Sequence, residues 1–165
     1  MIVELVSVGT ELLLGNIVNT NTQYLAEQCA LLGLSLYHQS VVGDNHDRMA
    51  EVVKTALGRS DVVILTGGLG PTEDDLTKEV CAEVMGYKLV EDPHTREHLE
   101  QFFKNNIYKE IPDNNWKQAM VPEGALVLDN HNGMAPGLIM EKDGKTAILL
   151  PGPPNELYPM VEDQV

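Results

Sequence analysis

The stretch from Asp61 to Thr77, DVVILTGGLGPTEDDLT, decides the fold. Residues 61–65 place four aliphatic side chains in a row behind one acid, the pattern of a strand buried on both faces. Three glycines, Gly67, Gly68 and Gly70, come at once after it. Such a turn lets backbone approach a ligand closely and direct its N–H groups outward. A helix is expected from about Asp75 to Met85, stopped by Gly86. Strand, glycine turn and helix in this order make the first half of a βαβ unit, and the flanking sequence repeats the alternation. Upstream, residues 2–8 and 34–42 read as strands. Residues 20–32 read as a helix ended at Gly33, and residues 47–57 as a helix stopped by Gly58. Downstream, Asp92-Pro93 supplies a cap and first turn for a helix to about Lys104. Residues 116–120 have weaker helical character. Residues 125–128, 137–141 and 145–150 read as strands, the last two joined as a hairpin through Lys142-Asp143-Gly144. The expected class is α/β: a mainly parallel sheet covered on both faces, with an antiparallel appendage late in the chain.

Length and charge narrow the function. The 165 residues suit one domain, 1–165, and are 43% hydrophobic and 22% charged, ordinary globular usage. A helix opening at Pro153-Pro154 reaches Val165 without a clear C-terminal cap, so the chain reads as part of a longer protein. No apolar stretch approaches the ~20 residues of a membrane span, and no basic segment precedes the first apolar run, so a soluble cytoplasmic protein is expected. Eleven Lys and Arg against twenty-five Asp and Glu give a net charge of −14. Nucleic-acid binding and anionic membranes are disfavoured, since both call for a basic face. Cys29 and Cys81 fall in separate helical patterns and read as buried thiols.

Ligands of open α/β sheets bind outside the carboxyl ends of the strands. The loops expected there carry Gly9-Thr10-Glu11 with Asn19, then Gly43-Asp44, the segment from Thr66 to Thr77, and Pro151-Gly152-Pro153-Pro154-Asn155-Glu156. Each combines glycine or proline with a carboxylate or hydroxyl. The central loop is no P-loop, lacking Gly-Lys-Ser/Thr, and no dinucleotide fingerprint, lacking the third glycine at the required spacing. Its acids Glu73-Asp74-Asp75 exceed what a helix cap needs, and clustered oxygens beside an N–H cradle suit Mg²⁺ or a similar hard cation. No basic residue lies between Thr66 and Thr77, and Lys78 merely adjoins it. A diphosphate facing these acids would be repelled by about 1 kcal/mol per pair at ~4 Å in water, so a cation between them is expected. His94-Thr95-Arg96-Glu97-His98 has the H-x-x-E-H spacing of some zinc peptidases but no marked third ligand. No Gly-x-Ser-x-Gly elbow is present, which disfavours covalent acyl chemistry.

The strings SVGTELLLGNIVNTNTQYLA, TGGLGPTEDDLT and LLPGPPNE, in this order, resemble the N-terminal domain of the CinA (competence/damage-inducible protein A) family over nearly the whole chain. That domain is similar to the molybdopterin-binding proteins MogA, MoaB, the third domain of MoeA, and gephyrin. The resemblance implies a three-layer α/β/α fold with a mixed, mainly parallel sheet, and self-association as a dimer or trimer. It also implies ADP-ribose pyrophosphatase activity, dependent on a divalent metal (Mg, Mn or Co), aided by K⁺, and yielding AMP and ribose 5-phosphate. A C-terminal amidase domain, common in relatives, is not credited to these residues. Molybdopterin relatives carry a hydroxyl residue within the glycine loop and an Arg before its aspartate. Leu69 and Asp74 stand at those positions here, which disfavours direct pterin-phosphate binding.

The expected machinery follows. Asp74, Asp75 and Asp44 are the candidate catalytic carboxylates, and Asp74, Asp75 and Glu11 the candidate metal ligands. Thr10, Glu11, Asn19, Thr66, Gly67, Gly68, Gly70, Thr72, Thr77, Pro151, Gly152, Pro153 and Glu156 are the candidate contacts to a small nucleotide. A non-catalytic molybdopterin- or nucleotide-binding module is the competing expectation.

Overall fold

A computed structural model describes residues 1–105 and 110–165. Its elements are β1 (Ile2–Val8), α1 (Thr10–Leu13), α2 (Thr20–Leu31), β2 (Ser35–Val42), α3 (His46–Arg59), β3 (Val62–Thr66), α4 (Thr77–Met85), β4 (Leu89–Glu91) and α5 (Pro93–Lys104). A 3₁₀ segment (Asp113–Ala119) then leads to β5 (Met120–Pro122), β6 (Leu126–Leu128), β7 (Gly137–Lys142), β8 (Lys145–Leu150) and α6 (Pro154–Gln164). Six strands form one sheet in the order β2-β1-β3-β8-β7-β6, and β4 pairs with β5 in a separate antiparallel ribbon. The first four sheet strands are parallel, while β7 runs against both β8 and β6.

The period-2 alternation of buried strands divides the interior into two cores. Val63 and Leu65 of β3 face one side and pack with Met49, Val53, Val80 and Cys81 of α3 and α4. Ile64 faces the other and packs with Leu25, Cys29, Leu157 and Met160 of α2 and α6. Three layers result, with helices on both faces of a mixed, mainly parallel sheet, as expected. Among the described residues no helix is long and apolar enough to cross a membrane.

Several boundaries depart from the sequence reading for local physical reasons. Helix α3 starts one residue earlier than expected because Asn45 caps it, its side chain accepting from the Arg48 N–H at 3.0 Å. It also continues through Gly58, where helical packing overrides the glycine's weak propensity. Helix α4 starts at Thr77, not Asp75, so the acidic run belongs to the loop. The helical character expected over 116–120 appears as a 3₁₀ segment over Asp113–Ala119. The short turn α1 and the ribbon β4–β5 carry too few residues to show a period. The hairpin turn is as expected: Asp143 (φ 53°) and Gly144 (φ 76°) both take the left-handed conformation of a two-residue turn.

Glu4 is the most buried acid, 1% exposed on β1. It accepts from Arg59 Nη2 at 2.7 Å, Arg59 Nε at 3.0 Å and Ser60 Oγ at 3.1 Å. Burial pulls its carboxyl upward, but these hydrogen bonds and the guanidinium charge outweigh that and hold it below its ordinary 4.5. A depressed carboxylate stabilises the fold above its unfolded value and loses that contribution as pH falls through the folded one. Acid unfolding followed by circular dichroism should therefore show a step below about pH 4.5 that is weakened in Glu4→Gln.

Candidate functional site

The register of the central strands builds the site. Ser7 on β1 lies beside Thr66 on β3, and Thr66 lies beside Leu150 on β8. The three strands therefore end level, and the loops opening at Gly9, Gly67 and Pro151 stand side by side. They border a cleft of about 760 Å³ at the carboxyl edge of the sheet, the location expected for this architecture.

The glycine loop is held open by its neighbours. Gly67 has φ +91°, and a Cβ there would lie 2.4 Å from the Val8 carbonyl oxygen, so only glycine fits. Its N–H is spent on Leu150 O at 3.0 Å; the expectation that it faces a ligand is thereby corrected. Among the described residues the N–H groups of Gly68, Leu69 and Gly70 make no hydrogen bond, and these three residues border the cleft. Thr77, expected as a ligand contact, is fully buried. Its Oγ donates to Gly67 O at 2.8 Å and its N–H to Gly68 O at 3.2 Å, so it braces the loop from beneath.

Of the other expected residues, Glu11, Asn19, Asp44, Thr66, Gly67, Gly68, Gly70, Thr72, Asp74, Asp75, Pro151, Gly152, Pro153 and Glu156 all border the cleft. Thr10 does not. It sits behind Asp44, whose Oδ2 accepts from Thr10 Oγ1 at 3.3 Å. Asp75 does more than face the cleft: its Oδ2 accepts from Thr72 N at 3.0 Å and Thr72 Oγ1 at 2.8 Å, closing the acidic turn. Asn19 caps α2, accepting from the Thr22 N–H at 3.2 Å and donating to Ser7 Oγ at 2.8 Å. Helix α5 turns its two histidines to different partners, His94 to Asp129 at 2.7 Å and His98 to the Gly133 carbonyl at 3.0 Å. The peptidase-like spacing therefore builds no paired metal site.

The electrostatics are one-sided. Glu11, Asp44, Asp74, Asp75 and Glu156 border the cleft, and among the described residues no Lys, Arg or His does. No three acidic, His or Cys side chains among the described residues group closely enough to hold a metal ion by themselves. The donors do fit a cation that arrives with a phosphorylated ligand, because Mg²⁺ keeps several waters and uses one or two carboxylates plus phosphate oxygens. Asn21 adds a neutral oxygen: its Nδ2 donates to Gly152 O at 2.6 Å, while its buried Oδ1 has no partner among the described residues.

Sequence reading missed Asn21, Phe102, Gln118, Gly133, Met134 and Ala135 at the cleft. Of these, only Asn21 carried a signal, two residues past the Asn19 cap. It also missed what steadies the acidic loop. Lys117, in the 3₁₀ segment, donates its ammonium to the carbonyls of Thr72 (2.7 Å) and Asp75. Lys78 is buried, donates to Lys117 O at 2.6 Å, and is lowered to about 8 by that burial. The cation nearest the acids in sequence thus turns away from the cleft, and one 42 residues from Asp75 clamps the loop from behind. Lys117→Met should loosen the loop at the cost of about 1–3 kcal/mol. Hydrogen exchange at residues 72–76 should speed up, with protection at β3 retained.

Comparison with known proteins gives this arrangement a family. The sequence model described as "Probable molybdopterin binding domain" matches residues 4–165. A protein of Caldicellulosiruptor bescii named for competence-damage induction is 57% identical over all 165 residues. One of Clostridium acetobutylicum with the same name is 51% identical over the same length. The chain spans 40% of the length of each of these curated relatives. The crystal structure of CinA from Thermoplasma acidophilum superposes with a TM-score of 0.90 at 32% identity, covering 98% of this chain and 94% of that one. MoaB from Thermus thermophilus shares the fold, with a TM-score of 0.64 at 17% identity over 98% of this chain and 87% of its own. A three-layer α/β/α sheet, a glycine loop at its carboxyl edge and these matches lead to one conclusion: the chain belongs to the molybdopterin-binding domain family, as a CinA-type member.

Proposed function

We propose that the cleft binds a phosphorylated nucleotide together with a divalent cation, and that its carboxylates hydrolyse a diphosphate linkage of the ADP-ribose type. The binding half has the wider support, because the family is described by ligand binding and the cleft stands where such folds take ligands. The hydrolytic half rests on one observation: five carboxylates and no cationic side chain, among the described residues, border the cleft beside three unpartnered N–H groups. A bare diphosphate would be repelled there, by about 1 kcal/mol per like pair at ~4 Å in water and more in a partly desolvated cleft.

In this reading Gly68, Leu69 and Gly70 donate N–H groups to phosphate oxygens. One or two of Asp74, Asp75 and Glu11 would hold the cation, with water and phosphate oxygens completing its shell, and it would supply charge neutralisation and polarise the phosphoryl group. Asp44, fixed by Thr10, or Asp75, fixed by Thr72, orients a water and takes its proton. The water oxygen adds to one phosphorus, the bridging P–O bond breaks, and AMP and ribose 5-phosphate leave. Asn21 Oδ1 accepts a ribose hydroxyl.

A second reading, a module that binds a nucleotide or pterin without turnover, is favoured by the description of the matched family. The two separate on incubation with ADP-ribose and Mg²⁺, Mn²⁺ or Co²⁺, scored by AMP release and, in parallel, by calorimetry. AMP release abolished by chelator supports hydrolysis. Metal-dependent binding without AMP release leaves the binding module, and binding unchanged by chelator overturns the role given to the cation.

A further inference from the structure

The exposed apolar surface is gathered along one edge of the sheet. Among the described residues, eight of the eleven large hydrophobic side chains left exposed lie between Leu13 and Val41. That segment forms α1, α2 and β2, and β2 is an end strand of the six-stranded sheet. The same stretch is almost free of charge. Residues 12–43 hold one acid, Glu27, and no Lys or Arg, in a chain whose net charge is −14.

Edge strands are usually guarded by charge, by proline or by shortness, because their unpaired N–H and C=O groups invite a second chain. The opposite edge of this sheet follows the rule, since β6 has three residues. β2 has eight, SLYHQSVV, without Lys, Arg, Asp, Glu or Pro. Its irregularity is Tyr37, an extra residue between the pairs Val3–Leu36 and Glu4–His38, which stands 70% exposed.

The strip has two ends of the same character. At the carboxyl end of β2, Leu13, Leu14, Ile17 and Val18 are all more than half exposed. The α1 turn packs on β2 there, with Leu13 Cδ2 3.6 Å from where a Cβ on Gly43 would lie. At the amino end, Leu31 and Leu32 are 80% and 73% exposed. The Leu34 N–H bonds Cys29 O at 2.9 Å there and turns the chain from α2 into β2. The twelve residues of α2 separate the two clusters, by about 18 Å at ~1.5 Å per residue. Monomers rarely leave a patch beyond a few hundred Å² of apolar surface in water. Seven side chains more than half exposed along one edge offer an area comparable with the ~800 Å² that each partner buries in a standard interface.

We propose that this strip is where a second copy of the chain docks, the two copies lying side by side along β2 about a two-fold axis across its middle. Charge restricts the contact. Two bodies of net charge −14 repel each other, and a face without charge is where that repulsion is least. Symmetry selects the occupant. A two-fold across the middle of one strand brings each end of the strip onto the opposite end of the partner, so one surface supplies both halves of the contact. Any other partner has to carry an apolar strip of its own with the same spacing. Ile17 and Val18 also border the cleft, so docking brings the end of the partner's α2 to the cleft rim. The contact needs neither ligand nor metal, and so stands or falls independently of the proposed function.

Sedimentation equilibrium of the 165-residue chain should show dimers across the micromolar range. Leu14→Lys and Leu31→Glu each alter an exposed side chain, one at either end of the strip, and should leave the circular dichroism spectrum unchanged. Each should weaken the dimer by about 100-fold or more, because a lone charge is taken into an apolar contact. The double variant sets the two new charges against each other across the axis, at both ends, and should recover at least about tenfold of the loss. If like ends met, the double variant would bring like charges together and dimerise no better than the single ones. A parent chain that is monomeric throughout, trimers in place of dimers, dimers that survive either single substitution, or no recovery in the double variant overturns the arrangement.

Discussion

Asp75→Ala is expected to lower metal-dependent AMP release by about 100-fold or more, in the range associated with losing a positioned acid–base group. Two observations combine in this residue. Its Oδ2 closes the acidic turn on Thr72, at 3.0 Å to the N–H and 2.8 Å to the hydroxyl. It also crowds the glycine turn, since a Cβ on Gly70 would lie 2.5 Å from the same oxygen. Alanine removes both the charge and the turn closure. Asp75→Asn separates them, because an amide oxygen still accepts from Thr72 but carries no charge. Turnover should fall in both variants, whereas a drop in melting temperature, about 1 kcal/mol or ~2–4 °C for a chain of this size, belongs to alanine alone. An asparagine variant as active as the parent protein would show that the charge of Asp75 is not used.

Gly67→Ala is expected to have the largest effect on stability. A left-handed conformation costs a non-glycine residue about 1–2 kcal/mol. Here the added methyl also meets the Val8 carbonyl oxygen at 2.4 Å, a backbone atom held by the parallel pairing of Val8 with Val42 of β2. Strain of this kind adds roughly 1–3 kcal/mol, for a total of about 3 kcal/mol and a fall of roughly 6–12 °C in melting temperature. Gly33→Ala serves as the control. It has φ +71° with nothing within 4 Å of the added methyl, so it should bear the conformational cost alone. Thermal melts that rank the two variants equally would show that the glycine loop is free to move off Val8. Ligand binding should follow the same order, because displacing Gly67 carries the N–H groups of Gly68, Leu69 and Gly70 with it.

How far the site was legible depends on how local each cause is. The loop after β3 was readable because three glycines behind four aliphatic residues allow few backbone paths, and strand ends are where α/β folds place ligands. The acids of that loop were readable as a group, but not in their separate roles. Asp75 turned out to bond Thr72 within its own turn, while Asp74 is exposed at the cleft. Thr77 was misassigned because a hydroxyl beside a glycine loop looks the same in sequence whether it faces a ligand or the loop's own carbonyls. Lys117 and Gln118 carried no signal at all. They lie in a 3₁₀ segment without periodicity; the carbonyls that Lys117 meets are some forty residues away, and Gln118 comes to the cleft only through the fold.

The amino-acid order by itself determined the class of the fold, since burial on both faces, helix capping and the left-handed turn at Asp143-Gly144 follow from short-range sterics and solvation that any window of ten residues contains. Tertiary structure alone decided which groups remain available for chemistry. Strand register set Ser7, Thr66 and Leu150 level, and that alignment consumed the Gly67 N–H on Leu150 while leaving the next three unpartnered. Tertiary packing also placed Lys117 behind the acids and brought Glu156 and Gln118 to the cleft. Hydrogen-bond partners are allotted by long-range packing, which no local pattern encodes.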